Sequence, residues 1–351
     1  MSGLQSLIDC GTKVWLDTVD PEILIMDHAL GITGATSNPL IVANLIKTGH
    51  CDSEIAKLIE FGLDDESLTW ELTDDLVRSA QEVLHPVWQQ TEGDDGYVSF
   101  ELDPLLEDSQ LNLPHETRVQ KYIELGIKWA EGHDNRMIKV PATPAGIDAL
   151  EEMAAHGITL NVTLIFTARQ YEEARQAIWR GAQKLNSTDR FKSVYSIFVS
   201  RVDVYTAQHL PQLDPAAQGM IGILNARRIW ADNQQFWADK NLKLNQEMVF
   251  ASTGTKNPDD PADKYVEALC GDDIQTNPPN IIDAIIESDK TFGKQLDQPG
   301  TPEANRAFDQ IDIQKLEQTL LNEGVAKFAD PHKELLQLIS NKRKALASSI
   351  E

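Results

Sequence analysis

The sequence predicts an α/β protein, a (β/α)8 TIM barrel with additional C-terminal helices. Eight short apolar runs of strand length alternate with segments of helical period, the pattern of a parallel sheet wrapped by helices. The chain has 351 residues, room for one barrel of ~250 residues with insertions. A single domain over 1–351 is expected, with 305–351 as a helical extension packed on the barrel.

The expected strands are 13–17 (KVWLD), 32–37 (ITGATS), 97–103 (YVSFELD), 137–142 (MIKVPA), 158–165 (ITLNVTLI), 194–200 (VYSIFVS), 247–253 (EMVFAST) and 265–270 (YVEALC). Between the fourth and fifth, 144–156 reads as a helix, opened by Pro144, closed by Gly157 and apolar at Ile147, Leu150 and Met153. Another helix starts at Thr167, where T-A-R-Q can form a capping box. The stretches 255–263 and 292–304 read as surface loops. After the second, 315–328 and 332–347 read as two closing helices.

Composition restricts the partners. The chain carries 31 Lys+Arg against 55 Asp+Glu, a net charge of −24. That excess opposes the phosphate attraction on which nucleic-acid binding depends, and it repels anionic lipid headgroups. Neither nucleic acid nor a membrane is an expected partner, and an anionic substrate would need local cations in its site. The three cysteines are scattered, without CxxC spacing, and no leader-like or 18-residue apolar segment is present, so a cytoplasmic location is expected. Monomer and homodimer both stay open.

A barrel strand points alternate side chains outward to the helices and inward to the barrel. If Val14/Leu16, Phe100/Leu102, Ile138/Val140, Val162/Leu164 and Ile197/Val199 face out, the inward set contains residues out of place in an apolar core. These are Asp17, Glu101, Lys139, Asn161, Thr163 and Ser196, together with Phe198. Asn38 follows the second strand on the parity of Thr36, and Ser252 is expected inward beside an outward Ala251. Taken singly, each polar residue reads as a solvated strand end. Eight of them converge toward the C-terminal ends of their strands, where barrel enzymes carry their chemistry.

Lys139 is flanked by Ile138 and Val140, so it should lose hydration, which disfavours the ammonium. A neutral amine can attack a ketone to give a Schiff base, whose protonated nitrogen accepts electrons when a neighbouring carbon–carbon bond breaks. The plainer alternative is a lysine paired with Glu101 or Asp17 for structure alone. Two carboxylates in one cavity can divide acid and base roles, and Asp17 and Glu101 are the available pair. The eight histidines form neither HExxH nor an HxH strand pair, and phosphate-loop motifs are absent.

The segments T-S-N-P (36–39), S-F-E-L-D-P (99–104), I-K-V-P-A-T-P-A-G-I (138–147), I-T-L-N-V-T-L-I-F (158–166), F-V-S-R-V-D (198–203) and A-S-T-G-T-K-N-P (251–258) resemble transaldolase motifs, in the family's order. The resemblance runs from about Trp15 to about Cys270. It implies a barrel whose fourth strand carries the Schiff-base lysine, Lys139, and transfer of a dihydroxyacetone unit between sugar phosphates without metal or organic cofactor. It further implies that Asp17 takes the C4-hydroxyl proton, while Glu101, with a water held by Thr163, handles proton transfers at carbinolamine and imine. Asn38 and Asn161 would hold the three-carbon unit and Ser196 the substrate hydroxyls. Arg201, Ser252 and Lys256 would meet the phosphate, Lys256 standing where many members carry Arg. A fructose-6-phosphate aldolase-like enzyme and a catalytically silent sugar-phosphate-binding barrel remain the alternatives. Against the first stand Glu101 and Phe198, whose ring cannot hold a proton or water as a Tyr hydroxyl would.

Overall fold

The computed structural model describes residues 2–288 and 290–348. Its strands are β1 (Thr12–Leu16), β2 (Gly34–Thr36), β3 (Val98–Glu101), β4 (Arg136–Pro141), β5 (Leu160–Ile165), β6 (Ser193–Phe198), β7 (Glu247–Ala251) and β8 (Asp273–Asn277). They pair parallel in sequence order, and β8 returns to β1 to close the barrel. Closure removes the free sheet edges, and the helices between strands cover the outer face.

The expected outward residues Val14, Leu16, Phe100, Leu102, Ile138, Val140, Val162, Ile197 and Val199 all join the large buried cluster shared with the surrounding helices. Inside the barrel the side chains form layers. Lys13 and Lys192 interlock with Asp94 and Glu247 at the N-terminal floor, Lys13 lying 2.8 Å from each acid. Above them Trp15, Tyr97, Met137, Val194, Val249 and Ile274 pack as one apolar layer. Gly34 makes this layer possible, since a Cβ there would stand 2.3 Å from the Trp15 ring. The polar residues share strand parity with the apolar layer: Asp17 with Trp15, Glu101 with Tyr97, Lys139 with Met137. They therefore lie nearer the C-terminal mouth, with a closed floor below.

Three expectations need correction. Residues 265–270 are not the eighth strand, because Lys264–Ala268 is helical. A short apolar run does not separate strand from buried helix. The true strand is the polar run DIQTN, whose Gln275 donates its side-chain N–H groups to the carbonyls of Val266 and Leu269. The two closing helices are one, Ile313–Ser348, which continues through Pro331. An interior proline costs ~3 kcal/mol, and packing on both sides outweighs it: Leu316 and Leu320 join one buried cluster, Leu335 and Ile339 another. The loop 292–304 ends early, since Pro302 opens the helix Pro302–Phe308.

Leu164 supplies a further correction. It was expected on the outer face beside Val162, but the β5–β6 register shifts between Val162 and Ile165, and Leu164 has φ 56°. The irregularity turns its side chain to the cluster beneath the C-terminal helix. That helix crosses the barrel mouth, held at its start by Glu317 to Thr167 and Arg169, further on by Lys333 to Asp108 at 2.6 Å, and near its end by Arg343 to Asp65 at 2.6 Å.

Candidate active site

The parallel register brings the central residues together. Glu101 pairs with Lys139 across β3 and β4, and Lys139 with Asn161 across β4 and β5. The Lys139 ammonium lies 3.0 Å from Glu101 Oε2, both side chains buried, and donates a hydrogen bond to the Ser37 carbonyl at 3.2 Å. The contact with Glu101 is an ion pair by distance, while its angle leaves Oε2 without a formal hydrogen bond. Burial raises the proton affinity of the Glu101 carboxyl above the ordinary carboxylate range; the Lys139 charge opposes this and the Asp17 charge adds to it.

A cavity of about 560 Å³ opens above this pair at the C-terminal mouth. Asp17, Asn38, Lys139, Thr163 and Ser196 line its barrel side. Asp17 accepts a hydrogen bond from Thr36 at 2.9 Å, and Thr36 is also 3.1 Å from the Thr276 hydroxyl. Asn38 caps the helix Pro39–Lys47 through Oδ1, which accepts from the Ile41 amide; its Nδ2 keeps two donors for a ligand. The Thr163 hydroxyl is buried without a partner. With Glu101 Oε2 it leaves two unmet hydrogen-bonding positions in the layer of the amine, a setting that suits a bridging water or a substrate hydroxyl.

Two expected site residues lie off the cavity wall. Glu101 sits behind Lys139, and Asn161 is fully buried, donating to Ser99 at 2.9 Å and accepting from Ser196 at 2.7 Å. Asn161 thus orients the Ser196 hydroxyl. Ser252 does line the cavity, but not by strand parity. Val249 belongs to the inner layer, so Ala251 faces inward, and Ser252 follows the strand end with φ 55°. This left-handed turn is unusual for a non-glycine residue, and it carries Ser252 to 3.0 Å from the Ser200 hydroxyl.

Farther out the cavity turns cationic. Arg201 follows the end of β6 in the helix Ser200–His209, with its guanidinium 5.0 Å from the centre of the Phe198 ring. Its Nη1 is buried without a hydrogen-bond partner. Burial lowers the Arg201 pKa, with Glu323 opposing; burial also lowers that of Lys256, with Arg201 and Lys327 adding to the effect. Cations held in this way favour a bound anion.

Sequence reasoning missed the cavity's roof. Lys327, Phe328 and Pro331 of the C-terminal helix line it from above, and the Phe328 ring centre is 5.5 Å from Lys139 Nζ. Helical periodicity gives no signal for this role, because the same spacing describes any helix packed on a core. Among the described residues, no group of three or more His, Cys, Asp or Glu is arranged to hold a metal ion, and no helix is long and apolar enough to cross a membrane.

Fold and site together define a (β/α)8-barrel protein centred on a buried lysine–carboxylate pair. Residues 14–339 match the Transaldolase/Fructose-6-phosphate aldolase family. The chain is 34% identical to a transaldolase of Mycobacterium tuberculosis, over 95% of both chains, and 33% identical to a transaldolase of Mycobacterium ulcerans, over 98% of both. A transaldolase of Mycolicibacterium paratuberculosis is 33% identical over 95% of both chains. The chain belongs to the transaldolase/fructose-6-phosphate aldolase family.

Proposed function

We propose that the protein is a transaldolase that moves a dihydroxyacetone unit from a ketose phosphate, such as fructose 6-phosphate or sedoheptulose 7-phosphate, to an aldose phosphate through a Schiff base on Lys139. The observation that carries this reading is the Lys139–Glu101 pair at 3.0 Å beneath a cavity that ends in Arg201 and Lys256. The acceptor would be erythrose 4-phosphate or glyceraldehyde 3-phosphate, a reaction of the pentose phosphate pathway in the cytoplasm.

The Lys139 ammonium first passes a proton to the Glu101 carboxylate, whose proton affinity burial has raised. The free amine then adds to the C2 ketone, and the carbinolamine loses water with a proton returned by way of Glu101 and a water on Thr163. Asp17 accepts the C4-hydroxyl proton as the C3–C4 bond breaks. The bonding electrons move onto the iminium nitrogen to leave an enamine, and the aldose phosphate departs. An acceptor aldehyde reverses these steps. Arg201, Ser252 and Lys256 hold the phosphate, Asn38 and Ser196 hold hydroxyls, and Asn161 keeps Ser196 in place.

Borohydride trapping with fructose 6-phosphate tests the reading. A covalent adduct on Lys139, lost in Lys139→Ala with the fold intact, supports it; an untrapped protein would favour a silent barrel. Comparing erythrose 4-phosphate-dependent transfer with release of free dihydroxyacetone then separates the transferase from the aldolase. Arg201→Ala should weaken phosphorylated donors more than dihydroxyacetone.

A further inference from the structure

The cations at the outer end of the cavity come from two parts of the chain. Arg201 and Lys256 belong to the barrel, while Lys327 hangs from the C-terminal helix. These three, with Ser252, also line a second chamber of about 430 Å³ between the helix Ser200–His209 and the C-terminal helix. They form the partition between the two chambers and are open to a ligand from either side.

Their pairing is sparse for a chain of net charge −24. Among the described residues no carboxylate stands within 4.0 Å of Arg201 or Lys256, and the acid nearest Lys327 is Glu323 at 3.9 Å. The Lys327 and Glu323 side chains are 57% and 46% exposed, so solvent screens that pair. Like charges gathered with so little close counter-charge repel one another, and a bound anion relieves the repulsion. Within this continuous helix, Pro331 has no N–H to donate to the Lys327 carbonyl four residues earlier. The turn that Pro331 interrupts is the one that lies over the mouth.

We propose that Lys327 is a third phosphate-binding residue, so that a phosphate monoester bridges the barrel cations Arg201 and Lys256 to the C-terminal helix. Arg201 offers a planar fork, Ser252 a hydroxyl, and the two lysines point charges on opposite walls, a set that can reach the three peripheral oxygens of one phosphate. The phosphorylated substrate then ties the roof to the barrel. This assignment rests on the transaldolase reading and names a residue beyond it.

The test compares Lys327→Met and Lys327→Arg with the wild-type protein, using fructose 6-phosphate, unphosphorylated dihydroxyacetone, and inorganic phosphate as a competing ion. Loss of one charge-assisted contact should raise KM for fructose 6-phosphate roughly tenfold or more in Lys327→Met, with a smaller effect on kcat. Inhibition by inorganic phosphate should weaken by a similar factor, and Lys327→Arg should recover most of both. Equal losses with both donors, or unaltered phosphate inhibition, would overturn the assignment. If Lys327→Met does not fold, amine labelling of the wild-type protein decides: inorganic phosphate should protect Lys327, and unchanged labelling counts against it. Wild-type protein without a Lys139 adduct or transfer would defeat the transaldolase reading itself, whereas normal transfer with an indifferent Lys327→Met defeats only this assignment.

Discussion

Glu101 and Lys139 stand opposite each other in the register of β3 and β4, and their charged ends meet at 3.0 Å. Adjacent strands of a closed barrel are held by ladders on both sides, so neither side chain can drift far from the other. In the proposed Schiff-base mechanism, the proton that must leave the amine before it attacks a ketone therefore has a fixed acceptor, and burial has already raised that acceptor's proton affinity.

Glu101→Gln keeps the shape and removes the acceptor. Turnover should fall by about 10²–10⁴-fold, the usual range for losing a positioned general acid or base. The pH profile gives a second measure. Because burial raises the Glu101 pKa, the acid limb of kcat/KM in the wild-type protein should lie above the ordinary carboxylate range, and it should vanish in Glu101→Gln. A variant that kept both the rate and the limb would remove Glu101 from the proton path.

Phe328 covers Lys139 from the C-terminal helix at 5.5 Å. In the proposed mechanism, an apolar ring there would keep water from the enamine while the acceptor aldehyde arrives. Phe328→Ala should shift turnover from transfer toward release of free dihydroxyacetone, on the order of tenfold in the ratio, equivalent to about 1.4 kcal/mol between the two routes. Measuring both products in one assay checks this. An unchanged ratio would mean that the enamine is shielded by other groups.

Most of the barrel was legible because strand parity is a two-residue rule, and one Lys or Asp between apolar neighbours marks its own face. The Asp17, Glu101, Lys139 and Ser196 placements follow from parity alone. It failed where the backbone leaves the regular strand: Leu164 and Ser252 both take left-handed φ values, and no pattern of side chains announces such a turn. β8 was hidden because it is polar, and its buried Gln275 places both amide N–H donors on carbonyls of Val266 and Leu269, a contact that sequence spacing does not encode. The roof was hidden for a similar reason. Lys327 reaches the cavity from a helix that follows the last strand by dozens of residues, and only tertiary docking sets which face looks down.

Gly324 marks where that helix docks. A Cβ at this position would meet Leu164 Cδ2 at 2.9 Å and Arg201 Nη1 at 3.6 Å. Leu164 is buried and held by the bulge in β5, so the helix must lift slightly. Gly324→Ala gains helix propensity of ~1 kcal/mol but incurs overpacking of about 1–3 kcal/mol. The expected net result is a modest loss in urea-unfolding stability with a higher KM for fructose 6-phosphate, as the roof moves from Arg201. A stabilised variant with wild-type KM would show that the helix tolerates the extra carbon in place.

Asp203 provides a pH test of stability beside the cationic end of the cavity. Its carboxyl accepts the Gly222 amide at 2.8 Å and the Tyr265 hydroxyl at 2.9 Å, and burial pushes its pKa up to about 6 from 3.8 despite these bonds. A carboxyl whose folded pKa is raised binds its proton more tightly folded than unfolded. Its contribution is therefore fully present below pH 3.8 and is lost as pH rises through about 6. That difference corresponds to roughly 3 kcal/mol. His332, whose pKa burial lowers to about 4, acts with the opposite slope, so the informative quantity is the difference between wild type and Asp203→Asn. Urea unfolding across pH 4–7 should give a wild-type curve that falls relative to the variant as pH rises. Parallel curves would mean that Asp203 ionises as easily folded as unfolded, and that its two hydrogen bonds fully offset its burial.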